Sequence, residues 1–223
     1  GPRIVRADAN YRRLLTSDLA FAVAAAGTPF LVPLLIRRIG MTDAVVGPLM
    51  VTTSVATVVM TVFYGWLGKR SGNRAVVVLA TRLVAFSPAM AVGAAVLPQI
   101  TVRGVDVCFI LVALSLVFAR VAGYAMAVGR NNYLLDIAPP DQRPTYTSFW
   151  QAFAFVTTFV PIVAGAVVAA LGYTTVFALC SAFGIASLML SLRLVEPRQE
   201  WDRTGHEPSV GVPVDELRRN DTA

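Results

Sequence analysis

The chain has 223 residues, of which 56% are hydrophobic and only 14% charged. Soluble domains carry about 25% charged residues, and a single soluble core of this size cannot hide so much apolar surface, so the composition excludes an ordinary soluble enzyme or binding domain. The formal net charge of +6 lacks the aromatic interleaving of a nucleic-acid surface, which leaves membrane orientation as its use and gives no nucleic-acid partner.

Apolar residues fall in six blocks, from about Leu14 to Ile36, Ala44 to Leu67, Ala75 to Leu97, Val105 to Val128, Phe149 to Leu171 and Tyr173 to Leu194. Each is near the roughly 20 residues that a helix needs to cross a bilayer. Pro29, Pro33, Pro88 and Pro161 lie inside blocks, where packed membrane helices tolerate them. No block alternates polar with apolar residues, so a strand barrel is not expected. The fold class is therefore an all-α membrane protein with six transmembrane helices and the lipid bilayer as a partner. Cys108 and Cys180 both sit in apolar blocks and read as buried inert thiols.

Residues 1–13 read as a basic cytoplasmic lead-in, 14–194 as the six-span bundle and 195–223 as a polar, Pro-containing tail of the disordered kind. The chain starts Gly1-Pro2-Arg3, with no secretory signal, and is expected to be part of something longer. Six spans put both termini on one side. That side holds Arg3, Arg6, Arg12, Arg13, Lys69, Arg70, Arg74, Arg130, Arg143, Arg193, Arg198 and Arg203; the other holds Arg37, Arg38 and Arg103. Positive charge near span ends marks the cytoplasmic face, so both termini are expected in the cytoplasm.

Charges embedded in the spans are expensive and so point to function, at about 2.5–3.5 kcal/mol each on insertion scales. Arg120 stands about 12 Å from the inner end of the fourth block and Arg82 about 10 Å into the third. Arg120 shares a helix face with Gly123, Tyr124, Ala127 and Asn131. Arg82 is expected to snorkel to the inner interface. Ser54, Thr57, Thr61 and Tyr64 form a stripe on the second span, and Gln151, Phe155 and Thr158 one on the fifth; each suits either a cavity lining or helix packing. Asp18 lies near the inner edge of the first span and is expected to pair with Arg12 or Arg13. Candidate substrate or coupling residues are Arg120, Tyr124, Gln151, Thr158 and Thr57. No catalytic set, phosphate loop or Cys/His metal spacing is visible; the only histidine, His206, is in the tail. No enzyme activity, metal or cofactor is expected.

The stretch Gly65-Trp66-Leu67-Gly68-Lys69-Arg70-Ser71-Gly72-Asn73-Arg74 follows the second block. It resembles the loop signature of the major facilitator superfamily, with Gly65, Arg70, Gly72 and Arg74 in register and Lys69 where the family has Asp. Gly129 to Phe149, with Pro139-Pro140 and Pro144, is similar to the connection between the fourth and fifth helices of bacterial members. Asp136, Asp141 and Arg143 could form ion pairs within that loop. The missing Asp and the start in a basic stretch make the chain resemble a C-terminal six-helix half, built of two inverted three-helix repeats.

This resemblance implies a secondary transporter of the plasma membrane of a bacterium, moving a small solute by alternating access. It also implies a partner, the missing N-terminal half, and a cavity lined by the first, second, fourth and fifth spans. Gly65, Arg70, Gly72 and Arg74 would form a conformational latch at a tight turn rather than a solute site. The alternative is a non-transporting six-span scaffold or assembly subunit, or a degenerate transporter fragment.

Overall fold

The computed structural model describes residues 8–40, 45–102 and 104–196. It is an all-helical bundle with six helical runs long and apolar enough to cross a membrane. The first run is α1 (Ala9–Ala25), a 3-10 turn (Thr28–Phe30) and α2 (Leu31–Ile39). The second is α3 (Val46–Ser71), the third α4 (Asn73–Val96) and the fourth α5 (Val107–Ile137). The fifth is α6 (Arg143–Thr157) and α7 (Val160–Leu171), and the sixth is α8 (Tyr173–Ser191). A two-strand hairpin, β1 (Thr101–Val102) against β2 (Val105–Asp106), precedes α5, where the sequence suggested that the fourth span begins at Val105. Asp106 then caps α5 by accepting from the Cys108 amide at 2.7 Å, a helix start that an apolar run does not reveal.

Helices α4 and α8 form the spine. The third span packs on the fourth, sixth and second, and the sixth on the third, first and fifth. Small residues allow this closeness. A methyl group on Gly184 would lie 2.8 Å from Ala85 Cα, and one on Gly129 would lie 2.9 Å from a Val76 methyl. Hydroxyls then join the spans. Ser17 and Ser187 each donate to the other's carbonyl, at 3.2 and 2.9 Å, and Ser87 and Ser115 do the same at 2.9 and 2.7 Å. Thr81 and Ser191 meet at 2.8 Å. Both cysteines are buried free thiols, as expected.

The second and fifth spans are the least enclosed. Val51, Val58 and Val62 on α3 and Phe155, Ile162 and Val163 on α6 and α7 are all more than 60% exposed. The third span is the most enclosed, and Arg82 stands on its exposed face.

Three expected boundaries move. The helices run on past the apolar blocks at one end of the bundle: α1 starts at Ala9, α3 runs to Ser71 and α5 to Ile137. The expected Gly-rich turn over residues 65–74 is therefore helix except at Gly72. Residues 129–149 are likewise mostly helix, broken only between Ile137 and Arg143. Of the polar tail expected from residue 195, only Val195 and Glu196 fall among the described residues, and both are fastened to the bundle. Arg3, Arg6, Arg103, Arg198, Arg203 and His206 lie outside the described residues.

Candidate functional site

Two helices break at the same level of the bundle. In the first span the chain leaves α1 through Gly27-Thr28-Pro29, and in the fifth it leaves α6 through Thr158-Phe159 before Pro161. Proline has no amide hydrogen, so Pro29 cannot donate to the Ala25 carbonyl nor Pro161 to that of Thr157. The last turn of α6 tightens instead: the Thr158 and Phe159 amides reach back three residues to Phe155 and Val156, both at 3.2 Å.

A cavity of about 460 Å³ opens between these breaks and the second and fourth spans, with Thr28, Pro29, Met50, Arg120, Thr157 and Pro161 in its wall. A second, of about 550 Å³, continues along α3 and α5 and is lined by Thr28, Thr53, Ser54, Thr57, Arg120 and Tyr124, among others. Thr28 and Arg120 belong to both. Arg120 is exposed to this space and makes no hydrogen bond or ion pair with any described residue. Gly123, Tyr124 and Asn131 share its open face, and Ala127 is half-buried on it, as the helical spacing predicts.

The other sequence candidates divide. Ser54 and Thr57 reach the cavity, but Tyr64 of the same stripe is buried and donates to the Val121 carbonyl at 3.0 Å, so it packs α3 on α5. Thr61 donates to Thr57 within its own helix at 2.8 Å. On the fifth span Gln151, Phe155 and Thr158 point outward, exposed, and line neither cavity; Thr157 does. The tightened turn after Ala154 rotates the lining face by one residue.

Asp18 pairs with neither Arg12 nor Arg13. Its carboxylate accepts from the Arg130 guanidinium at 2.8 Å and from the Trp150 indole at 2.9 Å, and Arg130 lies 4.0 Å above the Trp150 ring. This nearly buried triad ties the first, fourth and fifth spans at one end of the bundle. The triad is not legible in the sequence, because the fourth apolar block ends at Val128 and Arg130 reads as a charge beyond the span. The one available signal was the lack of any helix breaker between Gly129 and Pro139.

At the same end the loop-signature residues part company. Arg70 is exposed and lies over Trp66, 5.3 Å from its ring, and a β-carbon added at Gly65 would meet open space. Arg74 donates to the Leu192 carbonyl at 3.0 Å, and its amide donates to the Glu196 carboxylate at 3.1 Å. Further contacts hold the same segment. Arg13 donates to the Arg193 carbonyl at 3.2 Å, Tyr133 to the Val195 carbonyl at 2.5 Å, and the Val195 amide to Asn10 Oδ1 at 3.2 Å. Asp136 accepts from Asn73 at 2.6 Å, joining α5 to the start of α4. The segment from Leu192 to Glu196, which continues the sixth span, is thus a strap across the ends of the first, third and fourth. At the opposite end Arg38 donates to the Leu97 carbonyl, and Gln99 donates to the Arg38 carbonyl at 2.8 Å.

Near the strap, Asp8 caps α1 by accepting the Asn10 and Tyr11 amides, each at 2.9 Å, and accepts from the Tyr146 hydroxyl at 3.2 Å. Burial pushes its carboxyl above the usual carboxylate range, and those hydrogen bonds oppose the push only in part. No His/Cys/Asp/Glu cluster fit to hold a metal occurs among the described residues.

The family profile of the Major Facilitator Superfamily matches residues 14–220. No curated protein and no solved structure matches the chain.

Proposed function

The chain belongs to the major facilitator superfamily, and we propose that it carries a small solute across the membrane by alternating access, with Arg120 at the solute site. The observation that carries this reading is the convergence at one point of two helix breaks, a cavity and a charged side chain with no partner among the described residues. Irregular backbone at membrane depth is tolerated where it is buried in protein or lines a water-filled space, and interrupted helices near the middle of a bundle are where transporters bind their solutes.

The bundle acts as one half of the transporter, and a second six-helix bundle closes the cavity. The apolar side chains left exposed along the second and fifth spans support this. The strap and Arg74 work as the latch, and both termini lie in the cytoplasm. The test is solute counterflow in proteoliposomes, with the chain alone and joined to the coding sequence upstream of Gly1. Exchange that requires the cavity residues Arg120 and Thr57 supports the reading. Absence of exchange for every solute class in both forms sinks it and leaves a six-span scaffold.

A further inference from the structure

The chemistry of the cavity wall says more about the solute than its size does. Among the described lining residues of both cavities Arg120 is the only charged one; no carboxylate and no second cation faces it. Four of the six wall hydroxyls are already committed as donors, while those of Thr28 and Tyr124 make no hydrogen bond with any described residue. Thr53 and Ser54 donate to the Met50 carbonyl at 2.8 and 2.9 Å, Thr57 to that of Thr53 at 2.8 Å, and Thr157 to that of Ala154 at 2.8 Å. With those protons engaged, these four oxygens offer only lone pairs to a guest. Ala25 and Thr157, whose carbonyls are deprived of a proline amide, belong to the same wall, and those carbonyls retain acceptor capacity. The described wall therefore offers acceptors along α3 and at the helix breaks, two uncommitted hydroxyls on Thr28 and Tyr124, and one planar, five-donor cation.

We infer that the solute is a small organic monocarboxylate that also carries hydroxyl donors, a hydroxy or sugar acid, with its carboxylate on Arg120 and its hydroxyls on the acceptors of α3 and of the two helix breaks. The inference rests on Arg120 standing at the solute site. One guanidinium balances one negative charge, whereas a dianion such as phosphate would bring a second charge that no described residue of the wall offsets. A bare fatty acid would leave the acceptors desolvated and unpaired. A neutral polyol would leave the cation unpaired, and a cationic solute would meet a like charge with no carboxylate nearby.

The experiment measures binding and thermal midpoint of the reconstituted chain with gluconate, glycerate, hexanoate, sorbitol, inorganic phosphate and choline. Gluconate or glycerate is expected to bind and raise the midpoint, with hexanoate and sorbitol at least ~10-fold weaker, and Arg120→Gln is expected to weaken binding roughly 10- to 100-fold, the range for a lost charge-assisted hydrogen bond. Arg120→Lys keeps the charge but not the fork, so it should bind about 10-fold more weakly; it decides the matter if the Gln variant does not fold. The inference is overturned if hexanoate matches the hydroxy acids, if phosphate, sorbitol or choline binds most tightly, if none of the six binds, or if Arg120→Lys binds as the native chain does. It is also overturned if Arg120→Gln lowers the midpoint of the unliganded protein, which would assign Arg120 a partner within the protein. Hydroxy-acid binding without counterflow would leave this inference standing and defeat the transport reading. Exchange of a neutral or cationic solute untouched by Arg120→Gln would do the reverse.

Discussion

Substituting Gly72 by Ala should damage the fold by two separable routes. The residue is the whole connection between α3 and α4, and its φ of 82° with ψ of 166° lies where residues with a side chain are strained. Conformations of this kind cost on the order of 1–3 kcal/mol. The second route is steric. A β-carbon here would lie 2.4 Å from the carboxyl carbon of Glu196 and 2.4 and 2.6 Å from its oxygens, closer than atoms can approach. Glu196 would have to leave its buried site and give up the Arg74 amide. That amide belongs to the first turn of α4, where the free N–H groups have no side-chain cap of their own and a negative charge is favoured. Glu196 serves as a cap supplied from 122 residues away, and losing such a charge-assisted bond costs about 1.5–3 kcal/mol.

Gly72→Ala should therefore lose both contributions, about 3 kcal/mol or more together, and Glu196→Ala only the second. Because the alanine already expels the carboxylate, the double variant should be little worse than Gly72→Ala alone. The assay is thermal unfolding of the four proteins in one detergent, followed by a size-exclusion peak. The order native, then Glu196→Ala, then Gly72→Ala is expected. A Gly72→Ala midpoint equal to the native one would refute the argument, as would strict additivity of the two substitutions.

The remaining expectations concern the ends of the bundle and the triad. Arg74→Gln should slow counterflow several-fold while solute affinity stays within about 2-fold, whereas Arg70→Gln, exposed over Trp66, should change little; a large affinity loss in the Arg74 variant would show that it is not a latch. Asp18→Asn leaves the Arg130 charge embedded beside Trp150 without its counter-charge, a cost of about 3–5 kcal/mol for a buried pair. It should lower the thermal midpoint more than Asp18→Asn/Arg130→Gln does, and equal midpoints would break the argument. Asp8 holds its proton more tightly folded than unfolded, so between its usual range and the raised one the folded chain binds more protons. Its contribution favours folding at low pH and is lost as pH rises through that window; Asp8→Asn, which keeps the capping oxygen, should flatten this part of the pH–stability curve. Reporters fused after Arg103 and after Ala223 should lie on opposite sides of the membrane, and the same side for both would overturn the cytoplasmic placement of the termini.

Hydropathy marks the membrane and not the helix, which explains what could be read in advance. The six spans and the open face around Arg120 were legible because long apolar runs with a rare charge have few other uses. The ends were not, because Ala9–Arg13, Lys69–Ser71 and Gly129–Ile137 continue their helices with polar residues beyond the apolar blocks. The partner of Asp18 lies 112 residues away, so Arg12 and Arg13, adjacent in sequence, looked better placed than Arg130. Glu196 reads as part of the polar tail because nothing local shows that it caps α4. On the fifth span a helical wheel puts Gln151, Phe155 and Thr158 together correctly, but it assumes an unbroken helix. The break at Thr158-Phe159 gives the cavity to Thr157 and Pro161 instead.

The same break permits a test of what the cavity is for. In a bundle selected only for stability, a proline that strips a donor from the Thr157 carbonyl at membrane depth is a defect, since each backbone acceptor without a partner there is costly. Rules of local consistency fail in natural proteins chiefly where function demands it. Pro161→Ala restores the amide and lets α6 and α7 join into one helix from Arg143 to Leu171. The regained backbone bond contributes about 0.5–1.5 kcal/mol, so the thermal midpoint should rise, the opposite sign to Gly72→Ala. Straightening the helix also removes Pro161 from the wall and returns the Thr157 carbonyl to its own helix, so solute binding should weaken and counterflow should slow. A variant that is more stable and less active identifies the break as functional. A variant that is less stable yet exchanges solute at the native rate would show that Pro161 serves packing against α8, and the two helix breaks would then no longer mark the solute site.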